Sequence, residues 1–327
     1  MPHFLSADIG GTKSLLCLNA DGANTAVLKK SYVSAAYTNL ADMLDDFLAE
    51  AGIRDIDTAC LAVAGPVTGR VAKLTNLPWV VDADALATRF KIQVLTLIND
   101  FEAVGYGIAA LEATDLLTLQ TGVEQIDGTR LVVGAGTGLG VAWLHKQNGV
   151  IQVYPSEAGH MDFAPTDVIQ GLFLRYLRQR HHHVSYERVV SGSGLVTIFE
   201  FMRDTGMATP STALLDAMRV GDAAAAISQY ATQGNEEIAR MAMNLFLSVY
   251  GAFVGNMALA ALPRGGIYLA GGIAAKISDK LKDSEFLRAY LSKGRYTGLL
   301  ATMPMHIVLN QEVGLLGASL LTKRCLL

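Results

Sequence analysis

The stretch Arg130-Leu131-Val132-Val133-Gly134-Ala135-Gly136-Thr137-Gly138-Leu139 decides how the chain is read. Arg130 to Val133 predicts a strand, Gly134 to Gly138 a loop, and Leu139 to Lys146 a second strand. Asn148-Gly149 then predicts a hairpin turn into a third strand, Val150 to Tyr154. The N-terminus follows the same plan. Phe4 to Ile9 reads as a strand, Gly10-Gly11-Thr12-Lys13 as a loop and Ser14 to Asn19 as a strand; Asp21-Gly22 then turns into a third strand near Thr25 to Val33. One glycine loop between strands reads equally well as a tight turn. Two copies of the same unit predict a duplicated α/β architecture with a cleft between its halves. Glycines let backbone N–H groups approach an anion, and Thr and Lys side chains add donors and charge, so the pair of loops points to phosphate. The order is strand–loop–strand. A Walker loop or a dinucleotide fingerprint requires strand–loop–helix and is disfavoured.

Between the copies lies Leu95-Thr96-Leu97-Ile98-Asn99-Asp100-Phe101-Glu102. Lys91 to Ile98 reads as a strand that stops at two polar groups, and a helix-compatible segment follows. In an open α/β sheet such a junction faces the ligand crevice. Asn99 with Glu102 fits a helix capping box, which leaves Asp100 without a structural task. A carboxylate held there on a rigid element can accept a proton from a bound hydroxyl.

The connecting segments read more plainly. Apolar residues at 40, 43, 44, 47 and 48 predict an amphipathic helix from Leu40 to Ala51, and Thr58 to Ala64 predicts a strand. Asp82 or Asp84 caps a short helix through Phe90. Glu157-Ala158-Gly159-His160 sets a carboxylate and an imidazole three apart, a pairing suited to neutral hydroxyls. No cysteine or second nearby histidine completes a zinc set with His160. Val168 to Arg180 predicts a helix with a basic face, ending in the solvated run His181-His182-His183. Glu187 is expected on a helix face, and Ser191-Gly192-Ser193-Gly194 as a loop before a helix from Leu195 to Arg203. Met241 to Leu262 carries no charge and is long enough to span a bilayer, but Asn244, Ser248, Gly251, Gly255 and Asn256 argue for a buried central helix. Gly271-Gly272 follows a strand from Gly266 to Ala270; it admits a nucleotide base or ribose, or forms a tight corner. Met305 to Leu309 and Val313 to Leu320 predict a last strand and helix.

The totals exclude several classes. Twenty-six basic against 30 acidic residues, net −4, leave no nucleic-acid footprint. Cys17, Cys60 and Cys325 are isolated and odd in number, so they offer neither a disulfide framework nor metal-ligand spacing, and a reducing cytoplasmic setting fits. Hydrophobic residues reach 51% with a mean hydropathy of +0.32, yet no signal peptide and no membrane partner are expected.

Taken together, Asp8 to Thr12, Leu97 to Glu102, Gly134 to Gly138, Glu157 to Asp162, Glu187 to Leu195 and Leu269 to Ile273 resemble the motifs of bacterial glucokinases. The resemblance is to the type without the zinc-binding cysteine cluster of the related repressor/kinase family, and it spans nearly the whole chain in order. It implies a hexokinase/actin-like (ribonuclease H-like) fold of two α/β domains: 1–110, joined by the C-terminal segment 301–327, and 111–300. It also implies ATP and Mg²⁺ as co-substrates, glucose as acceptor and a homodimer. By the same resemblance Asp100 is the catalytic base, and Asn99, Glu157, His160 and Glu187 hold the remaining sugar hydroxyls. Asp8, Ile9, Gly10, Gly11, Thr12 and Lys13, with Gly136, Thr137 and Gly138, match the phosphate loops; Asp8 lies near Mg²⁺, and Gly271 and Gly272 match the adenosine side. Ser193 departs from the family pattern, where many relatives carry proline. A kinase for another hexose, or a sugar sensor without catalysis, remains an alternative reading.

Overall fold

The computed structural model describes residues 2–20, 26–53, 55–233, 236–282 and 285–324. The expected Asp21-Gly22 turn, Thr25 and Cys325 lie outside the described residues. Two compact units divide the chain. The first comprises residues up to Thr114, Gln147–Pro155 and the segment from Asn310 onward; the second comprises Asp115–Lys146 and Ser156–Leu309.

In the first unit, strands β1 (His3–Ile9), β2 (Lys13–Ala20), β3 (Ala26–Val33) and β4 (Thr58–Val63) precede a small sheet of β5 (Val67–Thr68), β6 (Val71–Lys73) and β7 (Val80–Asp82), and β8 (Val94–Asn99) follows. The main sheet runs β3-β2-β1-β4-β8. β1 and β2 are antiparallel with Ile9 opposite Ser14, whereas β1, β4 and β8 are parallel. Every residue of β4 is buried, as expected of a strand covered on both faces. Helix Leu40–Ala51 buries Leu40, Met43, Leu44, Phe47 and Leu48, the positions its periodicity marks. Asn39 caps its start and Gly52, at φ +67°, ends it. Asp82 caps helix Ala83–Phe90 by accepting from the Asp84 and Ala85 amides. The last helix, Val313–Arg324, packs on helix Asp100–Ile108 and on β1 and β4, and Thr58 Oγ1 donates to the Thr322 carbonyl at 3.1 Å.

A second sheet, drawn from the second unit except for its edge strand β12, contains β9 (Leu116–Gln120), β10 (Arg130–Ala135), β11 (Leu139–Gln147), β12 (Val150–Ser156), β13 (Ile267–Ala270) and β14 (Met305–Val308), in the order β12-β11-β10-β13-β14-β9. β10 and β11 are antiparallel with Ala135 opposite Leu139, and β10, β13 and β14 are parallel. Five strands therefore repeat the order and directions of the first sheet. β9, antiparallel to β14, is an addition at the edge. Asn148 and Gly149 both take positive φ, 52° and 81°, as a type I′ hairpin turn requires. Helix Glu237–Ala261 is the long apolar one: 78% of its most hydrophobic window is buried, and Phe246, Tyr250 and Phe253 sit in the unit's core. Gly251 brings its backbone against that of Phe286 in helix Glu285–Leu291.

Two local expectations are corrected. Glu187 lies in a turn that follows the isolated bridge between Asp162 and Ser185, not on a helix face. The Ser-Gly-Ser-Gly run is not a loop: Ser191 accepts from the Gly194 amide and the helix already begins at Gly192. A serine cap outweighs the low helix propensity of the two glycines.

Candidate active site

The parallel strands of the first unit end together. Register pairs Asp8 with Ala62 and Val63 with Asn99, so the carboxyl ends of β1, β4 and β8 share one edge of the sheet. Asn99 is the last residue of β8 and the cap of helix Asp100–Ile108. Its Oδ1 accepts from the Phe101 amide at 2.8 Å and the Glu102 amide at 3.3 Å, while Nδ2 donates to the Gly65 carbonyl at 3.1 Å. Glu102 accepts in return from the Asn99 amide, which closes the box, although burial still pushes its carboxyl above the ordinary value. Asp100 is the first helical residue, with Oδ1 held by the Phe101 amide at 2.8 Å. Capping and an oriented carboxylate therefore coexist here.

Asp8 is strongly perturbed at this edge. Burial, and then the charge of Asp100, push its carboxyl up to about 7. Gly314 lies so close that a Cβ there would sit 2.6 Å from Asp8 Oδ2. The hairpin after Asp8 closes through Gly10 N–H to the Lys13 carbonyl at 3.1 Å, with Thr12 and Lys13 exposed. Ser34 braces it: its hydroxyl donates to the Gly10 carbonyl at 2.7 Å and lies 2.9 Å from the Ser14 hydroxyl. Neither serine is singled out by the sequence, because both act through chain-distant contacts.

The second unit gathers the other named residues. Gly136 N–H donates to the Gly138 carbonyl at 2.9 Å, so this loop is a tight hairpin like the first. Gly271, at φ +83°, backs on the Ala135 main chain, which sets the start of helix Gly271–Lys276 beside the loop. Glu157 and His160 flank a short helical turn, with Oε2 3.9 Å from Nε2, and Glu187 Oε1 lies 4.0 Å from the same nitrogen. His160 and Glu187 line a depression of about 360 Å³ together with Arg180, His181, His182, His183, Ser185 and Arg188. The histidine run read as a solvated helix end therefore borders the site. Gly159 packs on the Leu139 carbonyl, leaving no room for a Cβ. Gly159→Ala is expected to cost about 1–3 kcal/mol through overpacking. Thermal unfolding checks this, and an unchanged midpoint refutes the packing argument.

Two glycine hairpins on two copies of one five-strand plan, with acids at the strand ends, define the hexokinase/actin-like class of phosphotransferases. Comparisons with known proteins narrow the class. The glucokinase family model matches residues 5–325. A glucokinase from Nostoc sp. strain PCC 7120 is 45% identical, covering 99% of this chain and all of the relative. A glucokinase structure from an Antarctic psychrotroph superposes with a TM-score of 0.82 at 28% identity, covering 99% of both chains. A glucokinase from Balamuthia mandrillaris in complex with glucose shares the fold, with a TM-score of 0.81 at 24% identity over 98% of this chain and 94% of that one. The chain belongs to the glucokinase family and is an enzyme of that family.

Proposed function

We propose that this enzyme transfers the terminal phosphoryl group of ATP to the 6-hydroxyl of D-glucose, with Asp100 as general base, at the entry to glycolysis. The observation that carries the reading is the acidic pair Asp8 and Asp100 beside the first glycine hairpin, close enough for Asp100 to raise the Asp8 carboxyl. Asp100 is held at a helix start by the Phe101 amide and is oriented before any substrate arrives. Phosphoryl transfer asks for alignment and charge neutralisation more than for covalent help. Asp100 takes the proton of the 6-hydroxyl as the oxygen–phosphorus bond forms, a contribution of about 10² to 10⁴ in rate. Asn99 retains an amide hydrogen for a hydroxyl, and Glu157, His160 and Glu187 supply acceptors and a switchable imidazole. The loops Gly10 to Lys13 and Gly136 to Gly138 take the phosphates, with Gly271 and Gly272 on the adenosine side.

The donor set also suits Mg²⁺, which takes one or two carboxylates together with substrate phosphates. Asp8 would hold it in this reading, and the cation, when bound, would supply neutralisation of phosphate charge. A homodimer and a cytoplasmic setting complete the reading by family resemblance.

ADP release measured over a panel of hexoses tests the assignment, with D-glucose expected to give the highest kcat/KM. A stronger response to mannose, fructose or an N-acetylated sugar would transfer the assignment to that sugar. Glucose binding with no ADP formed would leave a sensor.

A further inference from the structure

We propose that Glu187 couples the two substrates: one carboxylate ties the acceptor-binding turn to the phosphate loop, so that acceptor and nucleotide each tighten binding of the other. The proposal rests on the glucokinase reading above. Glu187 Oε2 accepts the Leu139 amide at 2.9 Å, directly after the Gly136-Thr137-Gly138 loop. Its other oxygen, Oε1, faces His160 Nε2 at 4.0 Å. A Cβ on Gly138 would lie 2.7 Å from Oε2, so a side chain at 138 displaces the carboxylate.

The main chain holds both sides of this link. Glu187 N–H donates to the Gly159 carbonyl at 2.9 Å, within the turn that carries His160. Gly192 N–H donates to the Gly136 carbonyl at 2.9 Å and braces the loop from the far side. Next to Glu187, the Tyr186 hydroxyl accepts from Asn256 Nδ2 at 3.1 Å, and Asn256 Oδ1 accepts from Lys293 at 2.7 Å. That chain anchors the turn to the long helix Glu237–Ala261. The Glu187 side chain, 33% exposed, is then the adjustable part between two braced segments.

A carboxylate offers acceptor sites on both oxygens. A sugar hydroxyl donating to Oε1 restricts the side-chain torsions and so holds Oε2 on the Leu139 amide, which orients the loop amides for phosphate. The ordering cost is met once, and the second ligand binds a loop already ordered. Linkage makes the effect reciprocal.

Calorimetry tests this on the whole enzyme, with D-glucose titrated alone and again with a saturating non-hydrolysable ATP analogue. In the wild type the analogue should tighten glucose binding by about 5- to 150-fold. Glu187→Gln keeps the shape but puts an NH2 donor in place of one acceptor oxygen, so the positions facing Leu139 N–H and the sugar no longer both accept. Its ratio should fall to about 1 even where some glucose affinity survives. Glu187→Asp keeps both oxygens and the charge but is one methylene short, and should also lower the ratio while unfolding close to the wild-type temperature. An undiminished ratio in both variants overturns the coupling, as does a ratio of 1 in the wild type. A wild type that binds the analogue but no glucose strikes instead at the acceptor assignment.

Discussion

Asp100→Ala is expected to lower kcat by about 10²- to 10⁴-fold, the range for a positioned general base, with ATP affinity close to wild type. The side chain sits at the first position of helix Asp100–Ile108, where a carboxylate also favours the positive end of the helix dipole. Losing that effect costs roughly 0.3–1 kcal/mol, too little to unfold a protein of this size. The Asn99 cap, with its bonds to the Phe101 and Glu102 amides, stays in place. A drop in kcat with calorimetrically intact ATP binding therefore reports on proton transfer rather than on lost structure. Turnover near wild type in Asp100→Ala removes this residue from the role. The same substitution removes the charge that helps raise Asp8, so the proton affinity of Asp8 should fall with it.

Asp8→Asn is expected to stabilise the unliganded enzyme at pH 8 and to abolish turnover. Burial and the Asp100 charge raise the Asp8 carboxyl from 3.8 to about 7, so the folded protein holds a proton that the unfolded chain releases near 3.8. Stability from that proton is complete below about pH 4 and is lost as pH rises through about 7. Each tenfold change in proton affinity is worth about 1.4 kcal/mol. With Asp8 partly open to solvent, the gain from a neutral amide is on the order of a few kcal/mol or less. Thermal unfolding of both proteins at pH 5 and pH 8 reads this directly: the variant should melt higher, with a clearly larger lead at pH 8 than at pH 5, and the lead should vanish only below about pH 4. Equal midpoints at pH 8 would show that Asp8 carries no such burden. The stabilised variant should gain less than wild type from ATP with Mg²⁺, because the carboxylate that makes the empty protein less stable is the one proposed to hold the cation. Stability given up at a functional site for activity is a recurring trade.

Much of the architecture is legible from short-range pattern. Apolar spacing marks the buried face of helix Leu40–Ala51 position by position, and Asn99 with Glu102 marks the cap of helix Asp100–Ile108. The uncharged stretch after Met241 reads as a core helix because its glycines and asparagines suit packing, and Gly251 does meet another helix backbone. The repeated strand–glycine–strand unit announces two sheets of one plan. The edge strand Leu116–Gln120 and the small sheet of Val67–Thr68, Val71–Lys73 and Val80–Asp82 have no such signal, being short and paired only through tertiary contacts. Glu187 is misread as a helix-face residue because the bridge between Asp162 and Ser185 that shapes its turn joins distant positions.

Sequence alone therefore determined most of the longer elements, their duplication and the family, since these follow from periodicity, turn chemistry and motif order along the chain. Tertiary structure alone decided what the acids experience. Asp8 holds its proton to about 7 because Asp100, 92 positions later, and the enclosing last helix stand beside it in space. Glu187 meets the Leu139 amide 48 residues away, and that contact ties its turn to the end of the Gly136–Gly138 hairpin. Proton affinity and hydrogen bonding depend on through-space distance and burial, which the order of residues does not state.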